Sequence, residues 1–243
     1  MDNSRSPLVE RLPGAAELRR TGYELLRTGP GRTVLDAGCG TGTAVAELAA
    51  LGARVTGVDL DGAALAEARR RVPEADLRRA DARALPFPDA SLHGYRADKV
   101  LHTLDEPDAA LREARRVLAP GGRAVLVGQD WDTFVIDSAD PGLTRWLVRA
   151  RADAVPSPRA ARAHRRLLAN AGFEEITSQV RTAELTDPVF LPLLTGLAAA
   201  APRTPDAPDA ARIEAWADEQ RARARTGRLY AAVPFFLAAG TAP

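Results

Sequence analysis

The strongest constraint on this chain lies between residues 33 and 42. A short strand-like run, Thr33-Val34-Leu35, enters Asp36-Ala37-Gly38-Cys39-Gly40-Thr41-Gly42, and an Ala/Leu-rich helix starts at once over 42–51. Glycines at every second position let the backbone turn sharply and let a ligand approach where a Cβ would otherwise stand. The helix behind them offers N–H groups that have no partner within the helix. In an open parallel sheet, a loop of this kind lies at the carboxyl ends of the strands, where ligands bind.

The rest of the chain repeats the same alternation. Strand patterns are predicted at 53–59, 75–80, 91–97, 123–128 and 173–181, and helical patterns at 65–72, 109–118, 159–171 and 213–225. Residues 8–28 carry apolar positions at helical spacing, interrupted at Pro13-Gly14 and Gly22, which predicts one or two N-terminal helices. A last strand is expected over 228–239, with Pro234 demoting it to an edge or bulged position. Such alternation predicts a mostly parallel sheet with helices on both faces. At 243 residues the chain reads as a single domain, 1–243. Residues 1–30 would form a helical cap, and 131–158 and 186–226 would be insertions serving as lid, acceptor chamber or dimer contact.

Bulk chemistry narrows the classes. The 33 basic and 32 acidic residues leave a net charge of +1, which gives no global attraction to nucleic acid or to an anionic membrane. Cys39 is the one cysteine, so no intrachain disulfide can form. A lone Cys with three scattered His makes no plausible metal set. With no long apolar run and a polar N-terminus, a cytoplasmic protein is expected, monomeric or homodimeric.

The loop's ligand is narrowed by three acids. Asp36 stands two residues before Gly38, where a carboxylate suits a cationic amino group and not a pyrophosphate. The spacing is Gly-x-Gly-x-Gly, whereas dinucleotide loops use Gly-x-Gly-x-x-Gly. Asp59 closes the next strand 17 residues after Gly42, placed to accept both hydroxyls of a ribose, although NAD enzymes put an acid there too. Together these favour a nucleoside carrying an amino acid.

On these residues the chain resembles the class I S-adenosylmethionine-dependent methyltransferases, in the small-molecule branch of ubiquinone/menaquinone-type and natural-product enzymes. The resemblance runs from about residue 32 to 128. It takes in the 34–42 loop, Val58-Asp59-Leu60, Asp81-Ala82, Leu85-Pro86-Phe87-Pro88-Asp89, Val100-Leu101-His102 and Arg116-Val117-Leu118-Ala119-Pro120-Gly121-Gly122. It implies a Rossmann-like α/β fold with a seven-stranded sheet in the order 3-2-1-4-5-7-6, the last strand antiparallel. It implies S-adenosyl-L-methionine as cofactor, S-adenosyl-L-homocysteine as product, no metal, and a small organic acceptor, in specialised metabolism. Asp36, Ala37, Gly38, Cys39 and Gly40 would hold the methionine end, Asp59 the ribose, Leu60 the adenine face, and Asp81 with Ala82 the adenine amino group. The backbone at Ala97 would face the methionine end, and Tyr23 would cap the cofactor or simply pack. Where the family often has Phe-Asp and two histidines, this chain has Leu92-His93 and His102-Thr103.

Methyl transfer depends chiefly on holding the nucleophile against the methyl group, so a mechanism with no catalytic side chain stands open. His102 is the candidate base, alternatively a polar contact to the cofactor. Asp98 and Lys99 would orient a substrate or form a surface pair. Trp131, Phe134 and Trp146, with Phe190 and Trp216, would line the acceptor chamber, Trp131 alternatively lying in lid core. His164 and the run Arg69-Arg70-Arg71 are expected on solvated helix faces. The rival functions are an NAD(P)-dependent dehydrogenase and a non-catalytic cofactor-binding partner or regulator.

Overall fold

A computed structural model describes residues 7–243; for Pro7 and Val9 only the backbone is described. The chain runs α1 (Pro7–Glu10), α2 (Ala15–Leu26), β1 (Thr33–Ala37), α3 (Thr43–Ala50), β2 (Arg54–Asp59), α4 (Gly62–Arg71), β3 (Asp76–Arg79), β4 (Leu92–Asp98), α5 (Pro107–Val117), β5 (Leu118–Gln129), β6 (Val135–Ile136), α6 (Pro141–Asp153), α7 (His164–Asn170), β7 (Glu174–Leu185), α8 (Leu191–Ala199), α9 (Ala210–Arg225) and β8 (Ala231–Thr241).

Strands β3, β2, β1, β4 and β5 lie side by side and parallel, and β8 follows antiparallel to β5, with β7 on its far side. The order is therefore the expected one, with the two-residue β6 added alongside the start of β8. The Pro120–Gly122 turn is looped out of the β4–β5 ladder, whose register jumps from Leu92↔Leu118 to Gly94↔Arg123.

Period-two strands send alternate residues to opposite faces, and each face has its own core. Val34, Val125, Val127, Val233, Phe235 and Leu237 pack on the side of α2, α6, α8 and α9. Leu35, Tyr95, Ala124 and Leu126 pack on the side of α5 and α7. Helix α2 continues through Gly22 because that position lies against the sheet, where an added Cβ would come within 3.9 Å of Val125 and Val127.

Two expectations need correcting. Pro234 lies in an inner strand, not at an edge: β8 pairs with β7 from Ala231 to Ala239 and again at Thr241. On the other side β5 reaches only Phe235 and β6 only Ala231 and Ala232. Pro234 thus occupies the gap where a missing N–H breaks no second ladder. His164, expected on a solvated face, is buried at the start of α7 beneath β5, with its ring 3.5 Å from where a Cβ on Gly128 would stand.

Candidate functional site

Helix α3 starts where β1 ends, and the turn between them carries the three glycines, each with φ positive: 71° at Gly38, 54° at Gly40 and 82° at Gly42. Their tasks differ. A Cβ on Gly38 would stand 2.2 Å from Val100 Cγ2, and one on Gly42 would meet Ala68 Cβ at 3.0 Å, so these two let β4 and α4 close on the loop. Nothing lies within 4 Å of the same position on Gly40, which faces open space. Val58 O accepts from the N–H groups of Gly38 and Cys39 at 2.7 and 2.9 Å, which ties the loop to β2. Cys39 points into a small core with Val45, Leu65, Ala68 and Leu77. Burial first, then the nearby Asp36 and Asp59, push its thiol well above the ordinary value. Cys39 is a packing residue there.

The loop borders a cavity of about 830 Å³ at the carboxyl edge of the sheet. Asp36, Gly38, Cys39, Gly40, Asp59, Leu60, Asp81 and Ala82 all stand on its wall, so the sequence-predicted cofactor residues from β1 to β3 come together. Asp59 receives Gly40 N–H on Oδ2 and Asp61 N–H on Oδ1, both at 2.9 Å, and so aims itself while bracing the loop. Leu60 is half exposed beside it. Asp81 is gripped by Arg83, Nη2 to Oδ2 at 2.7 Å, and that hydrogen bond holds the carboxyl below its usual value.

On the wall lies a charged array that the residue pattern did not announce. Arg96, in the middle of β4 and only 4% exposed, donates from Nη1 to Asp36 Oδ1 and from Nη2 to Asp98 Oδ2, both at 2.6 Å. Lys99 Nζ donates to the other oxygen of Asp98 at 2.6 Å. Burial opposes the charge on Asp98, but Lys99 and Arg96 outweigh it and hold its carboxyl below the ordinary value. For Asp36 burial is the larger influence and leaves the carboxyl above its ordinary value, with Arg96 pulling the other way. Asp36 Oδ2 is buried without a hydrogen-bond partner. The one available signal for Arg96 was an arginine inside an otherwise buried strand. Arg71, expected on an outer face, also reaches the wall, where it donates to Thr43 Oγ1.

Other expected site residues lie elsewhere. Tyr23 is buried against α3, its hydroxyl donating to Glu47 Oε2 at 2.6 Å, and it does not line the cavity. Ala37 and Ala97 are enclosed in the sheet core; Asp98, Lys99 and Val100, just beyond Ala97, are the residues that reach the wall. His102 is 3% exposed and sits edge-on to Trp131, ring centroids 5.6 Å apart, while Thr103 and Leu104 take the cavity positions. Trp131 packs with Phe134, Ala152 and Val155 under the Arg151 guanidinium. Trp146 packs on the core that contains Phe190 and Trp216. Among the described residues none from 131–158 or 186–226 lines the cavity. The aromatic acceptor chamber is thus corrected: those aromatics are helix-packing core. The apolar part of the cavity wall is made by Leu12, Leu18, Val100, Leu104, Ala183 and Phe235.

Residues 35–126 match the family model described as a methyltransferase domain. The chain is 38% identical over 173 residues to an uncharacterised 37.1 kDa protein in transposon TN4556 of Streptomyces fradiae, covering 66% of this chain and 50% of that protein. It is 36% identical over 116 residues to a demethylmenaquinone methyltransferase of Renibacterium salmoninarum, covering 48% of this chain and 49% of that one. The chain therefore spans about half the length of these curated relatives. The crystal structure of the YcgJ protein from Bacillus subtilis aligns with a TM-score of 0.65 at 17% identity, over 93% of this chain and 98% of that one, a likeness of fold.

Proposed function

From the class I S-adenosylmethionine-dependent methyltransferase domain that the chain carries, we propose that the protein methylates a small organic acceptor of specialised metabolism by in-line displacement, in the cytoplasm. The observation that carries the proposal is the pairing of two features on one wall. Asp36 Oδ2 is a buried acceptor without a partner, and Gly40 leaves open the space a Cβ would fill. An unpaired buried carboxylate oxygen costs about 1–3 kcal/mol or more, and an amino group placed against it removes that cost. The donor set therefore fits an amino acid joined to a nucleoside.

When bound, S-adenosylmethionine supplies a methyl group made electrophilic by its sulfonium. The chain's own part is to hold and to exclude. Asp36 and the Gly38–Gly40 turn would hold the methionine end, Asp59 the ribose hydroxyls, Leu60 the adenine face, and Asp81 with Ala82 the adenine edge. The apolar side chains Leu12, Leu18, Val100, Leu104 and Phe235 would keep water from the acceptor end. Orientation of two reactants supplies much of what such a displacement needs, and His102, buried off the cavity wall, supplies no base to it.

Isothermal calorimetry with S-adenosylhomocysteine tests the reading. Micromolar binding is expected, with no heat from NAD or NADP. Asp59→Ala should weaken it by about tenfold or more, the size of a lost charged hydrogen bond. Binding of a nicotinamide cofactor with none of S-adenosylhomocysteine would overturn it.

A further inference from the structure

The charged array on the wall has a geometry that assigns it a task. In the sheet, Asp36 stands in register with Gly57 of β2 on one side and Arg96 of β4 on the other. Gly57 has no side chain, and a Cβ there would stand 2.9 Å from Cys39 Sγ, so β2 supplies no counter-charge. The nearest compensation for the buried Asp36 comes from β4. Arg96 bridges Asp36 and Asp98, and the Tyr23 ring lies 5.7 Å from its guanidinium carbon. Both oxygens of Asp98 are taken, one by Arg96 and one by Lys99. Asp36, on the cavity wall, keeps one oxygen bonded to Arg96 and one buried without a hydrogen-bond partner.

We propose that Arg96 is a positioning residue for the methyl donor: its guanidinium fork fixes the Asp36 side chain and supplies its counter-charge, so that the donor's amino group meets an oriented acceptor. The inference rests on the donor reading of the cavity. Arginine suits the task because its fork spans two carboxylates at once and does not lose its proton in a protein. The other titratable groups facing Asp36 are Asp98, Lys99 and Tyr95 from β4 and its end, Tyr23 from α2, and Cys39 from the loop. Of these only Lys99 is cationic, and it is bound to Asp98. Removing Arg96 therefore leaves Asp36 buried, with burial favouring its protonated form.

The test is the pH profile of S-adenosylhomocysteine affinity, measured by calorimetry from pH 5 to 8.5 on the whole chain. In wild type, affinity should weaken toward low pH with a midpoint set by Asp36. In Arg96→Gln that midpoint should move up by about one pH unit or more, so that affinity at the acid end drops about tenfold further. In the double variant Arg96→Gln, Asp36→Asn the profile should be flat and affinity weak throughout. Arg96→Lys keeps the charge but loses the fork; it should hold the midpoint near wild type and bind about tenfold more weakly.

An unmoved midpoint in Arg96→Gln overturns the proposal, as does a double variant that still titrates. Should Arg96→Gln fail to fold, Arg96→Lys decides the matter, and wild-type affinity in it overturns the fork. A wild type that binds no S-adenosylhomocysteine at any pH overturns the donor reading itself, and this inference with it.

Discussion

Single residues here are set by what surrounds them more than by what they are. His164 begins a helix rich in arginine, yet it lies beneath β5 and is 3% exposed. Burial, reinforced by the neighbouring His102, pushes its pKa down from 6.5 to about 3. The folded value lies below the unfolded one, so between those pH values the unfolded chain takes up a proton that the native state refuses. This group's contribution is intact above about pH 6.5 and declines as pH falls toward 3. Each pH unit inside that window costs about 1.4 kcal/mol. Urea unfolding should show wild type losing about 2 kcal/mol more than His164→Gln between pH 7 and pH 5. Equal losses would show that the imidazole is solvated or already charged. The same dependence on surroundings explains the site residues. The places of Asp36, Asp59, Leu60 and Asp81 on the cavity wall were legible because each lies within two residues of a strand's last position, which fixes it at the carboxyl edge whatever the distant packing. Tyr23, His102 and Trp131 were not, because which way a side chain on a helix or a short turn points depends on what long-range packing brings against it. Lys99 and Asp98 do form a pair, as one of the two alternatives had it, but a half-buried one at the cavity and not a surface one.

Elements show how local pattern becomes placement. The two motif segments around Leu85–Asp89 and Arg116 are separated in sequence but meet in space. Arg116 donates to Leu85 O and Phe87 O at 3.0 and 2.8 Å, and Glu113 receives Leu85 N–H at 2.7 Å. Helix α5 thereby pins the turn that leads into β4, a structural reason for those residues to occur together. Strand and helix positions in the alternating part followed the pattern closely because period 2 and period 3.6 are distinct there. Boundaries drifted where a partner extends an element. β7 runs four residues past the expected Arg181, to Leu185, since β8 offers paired backbone that far. The helix expected from 159 starts at His164 instead. The glycine turn allows a sharper separation. Gly38→Ala places a Cβ against Val100 in a left-handed backbone, so it should lower thermal stability clearly, by about 2 kcal/mol or more. Gly40→Ala meets no neighbour and should cost about 1 kcal/mol. Both should weaken S-adenosylhomocysteine binding by more than about tenfold, Gly38 through the loop and Gly40 through the occupied space. Unchanged binding in folded Gly40→Ala would place the donor elsewhere.

At the scale of the molecule, the segments expected to form an acceptor chamber instead build one face of the core. α6, α8 and α9 join α2 on a single apolar side of the sheet, and Trp216 lies at its centre with Nε1 donating to Thr144 Oγ1 at 2.9 Å. Composition alone does not distinguish a lid from a core, since both are apolar and aromatic; only the partner surface does. This separates stability from ligand binding across the chain. The cavity wall is made by residues drawn from the segment 10–104 together with Arg181, Thr182, Ala183 and Phe235, and none of α6, α8 or α9 contributes to it among the described residues. Trp216→Ala removes a fully buried ring and leaves the Thr144 hydroxyl without that donor. Such a change costs about 3–5 kcal/mol. Urea unfolding should register that loss in full. Calorimetry of the folded variant at low temperature should give an S-adenosylhomocysteine dissociation constant within about twofold of wild type. A parallel loss of affinity would mean that the helical face shapes the cavity through β8, whose Phe235 belongs to both that core and the wall, as Leu12, Leu18, Ala44 and Ala183 do. Phe235→Ala would then show the same coupling from the other side.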